Sequence, residues 1–443
     1  MILISTLRSV PVAQSRLVVS APRSAASLIL LVIFLVGYHL RLSVYSGETI
    51  LIPMYLCNVA VFIAIVNFYS KVNTGIYLYL SLLTAIIVLT TLVGAIDSDL
   101  SGMTGAIQTS LAIVGFVFLV FVLLDVEPGR MVRYFTALWI ALIILATLER
   151  AAPVREIYDE ITNIVYTGMP RSIYSADVRD MELYSIIRPK IFSSEPSYAA
   201  TTLSTISLLI LFAIGEARRL RNFAIYLGMQ VVQYIVAPSQ TSIFFVAAVA
   251  LFIFWPKKVR LVHVVGAAMV IALVSILLLP SYSDILAGSS GDAPFSHQLT
   301  GSFFGRITAG PLLFMKVALT DPLFGVGVGN KNATADMIID VWAEAGAFQK
   351  FPWYIGLRPQ DLMSNGFWWS WVYLGIVGGI AFYLVLVLLL KRMGALHPGK
   401  VLMCTWVIWY AGSSFETIPS WFIMGIFAAW DIAGSRAQRV QSS

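Results

Sequence analysis

Recurrent long apolar stretches constrain this chain more than any other feature of its sequence. Apolar windows of about 18 or more residues occur along the whole chain, and each is long enough to cross a bilayer. Because backbone in lipid must satisfy its own hydrogen bonds, we expect these stretches to form helices. Windowed hydropathy predicts about twelve spans, near residues 24–40, 49–69, 76–96, 103–124, 132–148, 197–215, 222–236, 240–255, 260–279, 366–390, 400–412 and 416–433.

The composition supports the same class of protein. Of the 443 residues, 59% are hydrophobic and only 12% are charged, whereas a soluble domain has about a quarter charged residues. The mean hydropathy is +0.85. We therefore predict an all-α fold, a polytopic membrane helix bundle of about 12 transmembrane helices, with residues 1–443 forming a single integral membrane domain.

Lysines and arginines predict the orientation of the bundle, because short cytoplasmic connections carry an excess of them. Alternate connections are basic, as in "EARRLR" (216–221) and "KRMGALHPGK" (391–400). On the opposite side, connections such as "DSDLSG" (97–102) and "APSQTS" (236–241) carry neither lysine nor arginine. Both termini are therefore predicted to be cytoplasmic. The net charge of +6 reflects this anchoring and does not indicate a nucleic-acid partner.

Two long polar segments, 150–196 and 280–365, fall on the non-cytoplasmic face in this topology. In the first, "REIYDEITNIVY" aligns Ile157, Ile161 and Ile164 on one side, which predicts an amphipathic helix at the membrane surface. The second contains another amphipathic pattern in "DMIIDVWAEAGAF". Connections of this length are usually functional or disordered, and the helical patterning favours function.

The second loop contains "DPLFGVGVGN" (321–330), which superficially resembles a nucleotide-binding glycine loop. The spacing of Gly325, Gly327 and Gly329 matches neither GxGxxG nor the GK[ST] of a phosphate loop. The predicted face also offers no ATP. Two interpretations stay open: a packing turn that permits close backbone approach, or a floor against which Gly327 and Gly329 would contact a substrate.

Metal and disulfide chemistry have no support in the sequence. Cys57 and Cys404 both fall inside predicted spans, in apolar surroundings. The four histidines are scattered without the spacing of metal ligands; they are His39, His263, His297 and His397. We therefore predict no metal site.

Several motifs resemble, in content and order, the O-antigen polymerase and O-antigen ligase superfamily. They are "RPKIFSSEPSYAATTL" (188–203) just before a mid-chain span, a helical stretch led by Arg306, "DPLFGVGVGN", and an asparagine that opens a span continuing into "LGIVGG". The resemblance covers about 188–385.

The resemblance implies a GT-C-like bundle and a metal-independent glycosyltransferase at the periplasmic face of the bacterial inner membrane. The donor would be a glycan on undecaprenyl diphosphate, so no cofactor is needed. A polymerase transfers the glycan to another lipid-linked repeat unit, whereas a ligase transfers it to the lipid A core. The implied partners are the lipid-linked oligosaccharide, the membrane, a flippase and a chain-length regulator.

Members of this superfamily use arginines in both outer loops to stabilise the diphosphate leaving group. The matching residues here are Arg188 and Arg306. Arginine suits the role because its planar fork binds phosphate oxygens in pairs and stays protonated. Arg358 and Lys190 are further candidate substrate-binding cations. The alternative for these cations is a headgroup anchor or a structural ion pair.

The residue that would accept the proton of the acceptor hydroxyl is less clearly marked. Ligases of the superfamily carry a histidine before the asparagine that opens the late span, but Ser364 stands before Asn365 here, which favours a polymerase. Serine cannot act as this base by itself, so Glu195 and Asp361 are the candidate catalytic bases. Each could equally be a solvated carboxylate or the partner of an arginine.

Aromatic residues crowd the start of the same span, in "FWWSWVY" (367–373). They fit an interfacial belt, although Trp368 is also a candidate sugar-stacking residue. A transporter of lipid-linked oligosaccharide or of a small solute is the alternative from a different class. No repeated halves are evident, and charges are almost absent from the span interiors, which favours chemistry in the outer loops.

Overall fold

Helices form nearly all of the part of the chain that the structure describes. This computed structural model describes residues 25–46, 49–94, 101–167, 174, 177–215, 218–255, 304–330 and 332–442. The helices are α1 (Ala25–Leu40), α2 (Tyr55–Phe68), α3 (Thr74–Gly94), α4 (Ser101–Asp125), α5 (Pro128–Glu149), α6 (Ala152–Val165), α7 (Asp177–Tyr184), α8 (Pro196–Ile214), α9 (Arg219–Val236), α10 (Thr241–Ile253), α11 (Ala309–Thr320), α12 (Ala335–Glu344), α13 (Ala347–Lys350), α14 (Gly366–Met393), α15 (Pro398–Tyr410) and α16 (Ile418–Ser442). A short antiparallel ribbon joins α1 to α2, with strands β1 (Val44–Ser46) and β2 (Thr49–Ile52).

The predicted spans agree with these helices in position, but the count of twelve is not confirmed. Eleven of them coincide with a helix, and the twelfth, 260–279, lies outside the described residues. Among the described residues, six helices are long and apolar enough to cross a membrane: α3, α4, α5, α8, α14 and the first part of α16. The helices α1 and α10 and the stretch Tyr55–Lys71 are apolar but shorter. The chain is therefore a helical, membrane-embedded protein.

The predicted span 49–69 begins later than its hydropathy suggested. Residues Thr49–Ile52 pair with β1 instead of continuing the helix. Pro53 and Met54 then form a turn, in which Met54 has a left-handed φ of 49°. Residues Thr49–Ile52 therefore belong to the ribbon, and α2 starts only at Tyr55.

The core of the bundle lies around α4 and α16, which pack along each other. Every side chain from Phe116 to Leu123 is buried, so α4 has no lipid-facing stripe in this stretch. By contrast, α5 exposes Ile140, Ile144 and Leu148. An all-round apolar helix is typical of the centre of a bundle, and an exposed apolar stripe is typical of its lipid-facing rim.

Both long loops meet at one end of the bundle, which we call the loop end and define by the starts of α8 and α14. The side chain of His39, near the end of α1, contacts the backbone of Ile191 at 2.7 Å. The carboxylate of Glu149, at the end of α5, accepts hydrogen bonds from the backbone N–H of Lys190 and Ile191 at 2.8 and 2.7 Å. The segments that precede α8 are therefore fixed to the ends of α1 and α5.

The helix α14 is broken at Gly375, where the backbone has φ 65° and ψ −171°. The glycine-containing segment of the second loop fills this break. The N–H groups of Val326 and Gly327 donate to the carbonyls of Val372 and Tyr373 at 3.1 and 3.0 Å. On the other side of the break, the N–H groups of residues 376–378 donate to the carbonyls of Pro322 and Leu323. The loop thus satisfies the backbone groups that the break would leave unpaired.

The glycines themselves permit this segment to enter the bundle. Gly325, Gly327 and Gly329 all have left-handed φ angles, of 61°, 83° and 81°. A Cβ at Gly327 would lie 2.9 Å from the Cα of Thr91, and one at Gly329 would lie 2.6 Å from the Cα of Gly105. The structure therefore places Gly327 and Gly329 in backbone packing against α3 and α4, which fits the packing-turn interpretation of the run.

The loops also form small units of their own. In the second loop, the buried ring of Trp342 contacts the rings of Phe304, Phe348 and Tyr354 at centroid distances of 4.9, 5.5 and 5.0 Å. In the first loop, α6 forms where the amphipathic pattern predicts a helix, and it leaves Ile157, Ile161 and Ile164 exposed.

Candidate functional site

Arg306 lies at the loop end in a single π-helical turn, Phe304–Thr308, directly before α11. Its backbone carbonyl accepts a hydrogen bond of 2.5 Å from the side-chain amide of Asn365. The same asparagine caps α14 by accepting from the N–H of Trp368 at 3.1 Å. The hydroxyl of Tyr410 donates to the carbonyl of Ile307 at 3.2 Å. Two bundle helices, α14 and α15, therefore fix the position of this arginine, and π-turns of this kind occur frequently at functional sites.

The side chain of Arg306 is half-buried, and it has no ion pair with a described residue. Its Nε is buried and has no hydrogen-bond partner, and no described carboxylate forms an ion pair with it. Burial lowers the pKa of this guanidinium, while Glu195, Tyr354 and Tyr184 oppose that shift and Arg188 adds to it. Buried charges in proteins are normally paired. An arginine held at this position without a partner is therefore suited to an anionic ligand.

Glu195 is the carboxylate that most strongly influences Arg306. It is the residue before α8, and it is half-buried. One carboxylate oxygen accepts a hydrogen bond of 3.0 Å from the hydroxyl of Ser197. Glu195 and Arg306 come from different loops, so the fold brings together two of the residues that the sequence analysis selected.

Arg188 lies near Arg306 but is itself engaged. Its Nε donates to the buried carboxylate of Asp180 at 2.8 Å, and one terminal nitrogen donates to the hydroxyl of Tyr174 at 2.8 Å. Burial disfavours the charged form, but Tyr174 and Asp180 outweigh it and raise the pKa of Arg188. The structure therefore gives Arg188 an ion-pair partner, which is the alternative that the sequence left open.

The pairing of Arg188 predicts a stability effect. Changing Asp180 to alanine would leave a nearly buried arginine without its carboxylate, so we expect the free energy of unfolding to fall by about 3 kcal/mol. Asp361 is the matched control, because its ion pair with Arg358 is exposed and its removal should cost less than about 1 kcal/mol. Thermal melts of the detergent-purified variants would measure both effects. Equal melting temperatures for the two variants would contradict a structural role for the buried pair.

Lys190 is also committed to a structural contact. Its ammonium lies 2.6 Å from a carboxylate oxygen of Asp159 on α6, and the side chain is nearly fully buried. Together with the contacts of its backbone to Glu149, this pair fixes the first loop against α5 and α6. The structure thus shows no open face of Lys190 for a substrate.

Arg358 and Asp361 occupy the surface of the second loop. They form an exposed ion pair of 3.0 Å within a single short turn. Among the described residues, no contact joins either of them to Arg306. Ser364 follows on the same segment and is exposed. Its carbonyl oxygen and the Nε of Arg306 both approach Gly412, since each would lie 3.3 Å from a Cβ placed on that glycine. Ser364 is therefore next to the arginine, whereas Asp361 is not placed there by any contact.

Trp368 packs between α14 and α11. A Cβ at Gly310 would lie 2.7 Å from its ring, and its ring centroid is 5.5 Å from that of Phe314. These contacts pack Trp368, at the start of α14, against α11. Within the described ranges, no group of three His, Cys, Asp or Glu side chains could hold a metal ion.

Arg41 is a residue of this end that the sequence analysis did not select. It follows α1 directly, and its guanidinium carbon lies 3.6 Å from the ring centroid of Tyr198 in the first turn of α8. The available signal was its position: Arg41 is a lone arginine in a short connection on the predicted non-cytoplasmic side, where basic residues are otherwise rare.

The described residues form a membrane-embedded helix bundle with two half-buried arginines, Arg41 and Arg306, at its loop end. No known protein family, curated protein or solved structure matches the chain.

Proposed function

We propose that this protein is a polymerase that joins undecaprenyl-diphosphate-linked oligosaccharide repeat units into O-antigen or exopolysaccharide at the periplasmic face of the bacterial inner membrane. The observation that carries the proposal is the half-buried side chain of Arg306, whose Nε is buried without a hydrogen-bond partner and which forms no ion pair with a described residue. The motifs around both residues resemble the O-antigen polymerase and ligase superfamily, which supports the same reaction.

The proposed reaction needs one leaving group and one proton acceptor. The acceptor hydroxyl oxygen forms a bond to the anomeric carbon of the donor, and the bond from that carbon to the diphosphate oxygen breaks. The electron pair of this bond goes to the diphosphate, and the hydroxyl proton goes to a base. Arg306 stabilises the charge that develops on the diphosphate, which is the kind of electrostatic assistance that lowers barriers most. No nucleotide or metal is required, because the lipid diphosphate is already activated.

Glu195 is the favoured base because its charge acts on Arg306 and because it lies directly before α8 at the loop end. Changing Glu195 to glutamine keeps the size of the side chain and removes its ability to accept the proton, so we expect polymerisation to slow by about 10²- to 10⁴-fold. The measurement is the rate of polymer formation by the purified protein on lipid-linked repeat units. Asp361→Asn is the control, and a rate that falls only in the Asp361 variant would assign the base to the surface carboxylate.

A ligase that transfers the glycan to lipid A core is the alternative within the superfamily. Ser364 occupies the position of the ligase histidine, and it is exposed beside Arg306. Of the described histidines, His39 contacts Thr202 and the carbonyl of Ile191 through its two ring nitrogens, and His397 pairs with Asp431 at the opposite end of α14. Neither replaces the missing ligase base, and this favours the polymerase.

A transporter is the alternative from another class, and the broken helix α14 is the observation that bears on it. Transporters bind substrates or ions at the exposed ends of such half-helices. Here the half-helix ends are satisfied by the backbone of the second loop, through the hydrogen bonds of Pro322, Leu323, Val326 and Gly327. A break that is filled by the protein's own backbone favours a fixed scaffold.

The test of the proposed function is a gel of cell-surface and lipid-linked glycans from a strain that lacks this gene. We expect single repeat units to persist on their carrier or on the core, and complementation with the wild-type gene to restore the long ladder. Long chains that accumulate on undecaprenyl diphosphate and never reach the core would instead identify a ligase. An unchanged ladder would refute glycosyl transfer and favour the transporter.

A further inference from the structure

Four of the described cations at the loop end form ion pairs that hold the surrounding segments together. Their ammonium or guanidinium groups lie within ion-pair distance of carboxylates; the pairs are Arg155 with Asp177, Arg188 with Asp180, Lys190 with Asp159 and Lys316 with Glu344. Arg41 and Arg306 differ from these four. Neither forms an ion pair with a described residue, and the Nε of each is buried without a hydrogen-bond partner.

The surroundings of Arg41 are built from aromatic groups. The guanidinium carbon lies 3.6 Å from the ring centroid of Tyr198 and 5.8 Å from that of Tyr38. An arginine that stacks on an aromatic face keeps its charge and holds its planar fork in one orientation. The arrangement therefore fixes the cation without neutralising it.

The backbone around Arg41 is held as well. Its N–H donates to the carbonyl of Gly37 at 2.9 Å, and its φ of 52° is left-handed, which a side-chain-bearing residue adopts only when its surroundings impose it. Tyr166, from the first loop, donates a hydrogen bond to the adjacent carbonyl of Leu40. The end of α1 and the first loop together keep Arg41 beside the start of α8.

This position corresponds to the headgroup level of a bilayer. Arg41 directly follows the apolar helix α1, and Tyr198 is in the first turn of the apolar helix α8. Apolar helices end where the hydrocarbon region ends, and the ligands available there are the phosphates of lipids. The start of α8 adds the partial positive charge of its N-terminus.

We propose that Arg41 binds a lipid phosphate at a second cationic site, on the Tyr198 side of the start of α8. Arg306 occupies the first site and is influenced by the charge of Glu195, which directly precedes the turn of α8 that carries Tyr198. The polymerase reaction uses two lipid-linked substrates, a donor and an acceptor, and each carries its own diphosphate. If the proposed function holds, the second site retains one of these two carriers while Arg306 acts on the other.

Two kinds of lipid carry a phosphate that Arg41 would bind, namely a lipid-linked substrate with its diphosphate and a bulk phospholipid. Native mass spectrometry of the full-length protein in detergent distinguishes them, with undecaprenyl diphosphate and phosphatidylglycerol as the two probes. We expect Arg41→Gln to weaken the binding of at least one probe by about tenfold or more, because a charge-assisted hydrogen-bond pair is lost. A loss confined to undecaprenyl diphosphate identifies a substrate site, and a loss confined to phosphatidylglycerol identifies a structural lipid.

Two further variants keep the test decisive. Lys316→Gln removes a cation that is paired with Glu344 at the same end and should bind both probes like the wild type. Arg41→Lys retains the charge without the planar fork and should give an intermediate loss even if Arg41→Gln folds poorly. Unchanged binding of both probes by Arg41→Lys and by folded Arg41→Gln would overturn the proposal. The binding assay involves no glycosyl transfer, so its outcome does not depend on the proposed reaction. An intact glycan ladder in Arg306→Gln would count against the proposed reaction and would leave the binding result for Arg41 unaffected.

Discussion

Changing Arg306 to glutamine is expected to abolish the long glycan ladder in a strain that lacks the native gene, with polymer formation reduced by about 10²- to 10³-fold. Glutamine fills a similar space but cannot stabilise the charge that develops on the departing diphosphate. Arg306→Lys should recover only part of the activity, because a lysine supplies the charge but not two parallel donors. The measurement is the chain-length distribution on a gel, together with the rate of polymer formation by the purified protein.

The fold should tolerate this change, because the structural contacts near Arg306 are made by its backbone. The side chain of Asn365 donates to the carbonyl of Arg306, and this bond is independent of the guanidinium. Arg306→Gln should therefore melt at or above the wild-type temperature, since a half-buried charge without a described ion pair is removed. Arg358→Gln is the control for the loss of a positive charge and should leave the ladder intact. A normal ladder in Arg306→Gln would remove the main support for the proposed function.

The sequence predicts where the helices lie much better than how they are joined. Long apolar windows identify most of the bundle because lipid requires helices there. The same windows treat α14 as one continuous span, since "YLGIVGG" is apolar throughout. The break at Gly375 depends on hydrogen bonds to residues 322–327 of a distant loop, and these become visible only when the chain is folded.

The candidate site shows the same limit of local information. Arg188 and Arg306 look equivalent in the sequence, because both are arginines at the mouth of a loop. The structure separates them: Arg188 pairs with Asp180 eight residues earlier, and Arg306 has no such partner among the described residues. Whether a charge is paired depends on tertiary placement, so composition and spacing could select both arginines but could not distinguish their roles.

The glycine segment links this site to the bundle. It fills the break in α14 and packs on α3 and α4, while the start of α14 carries Asn365, which holds the backbone of Arg306. An error in this packing would be transmitted to Arg306 through α14 itself. The segment therefore helps to position Arg306.

Changing Gly329 to alanine is expected to have the second-largest effect and to act on folding. The residue has a φ of 81°, and the new methyl group would lie 2.6 Å from the Cα of Gly105. Gly356→Ala is a closely matched control, because Gly356 has a φ of 88° but nothing within 4 Å of its Cβ position. Both variants incur the left-handed backbone cost of about 1–2 kcal/mol. Only Gly329→Ala adds a collision with backbone, which should lower its free energy of unfolding by about 1–3 kcal/mol more.

The two glycine variants would be compared by the fraction of monodisperse protein that survives heating in detergent. We expect Gly356→Ala to lose a few degrees of melting temperature and to keep the glycan ladder. Gly329→Ala should melt lower still and yield less membrane-inserted protein, because its methyl group forces α4 away from the loop. Equal melting temperatures would mean that this contact with α4 is loose enough to relax. In that case the glycines would be needed only for their backbone angles. The position of α14, and through Asn365 that of Arg306, would then depend only on the hydrogen bonds between residues 322–327 and the two halves of α14.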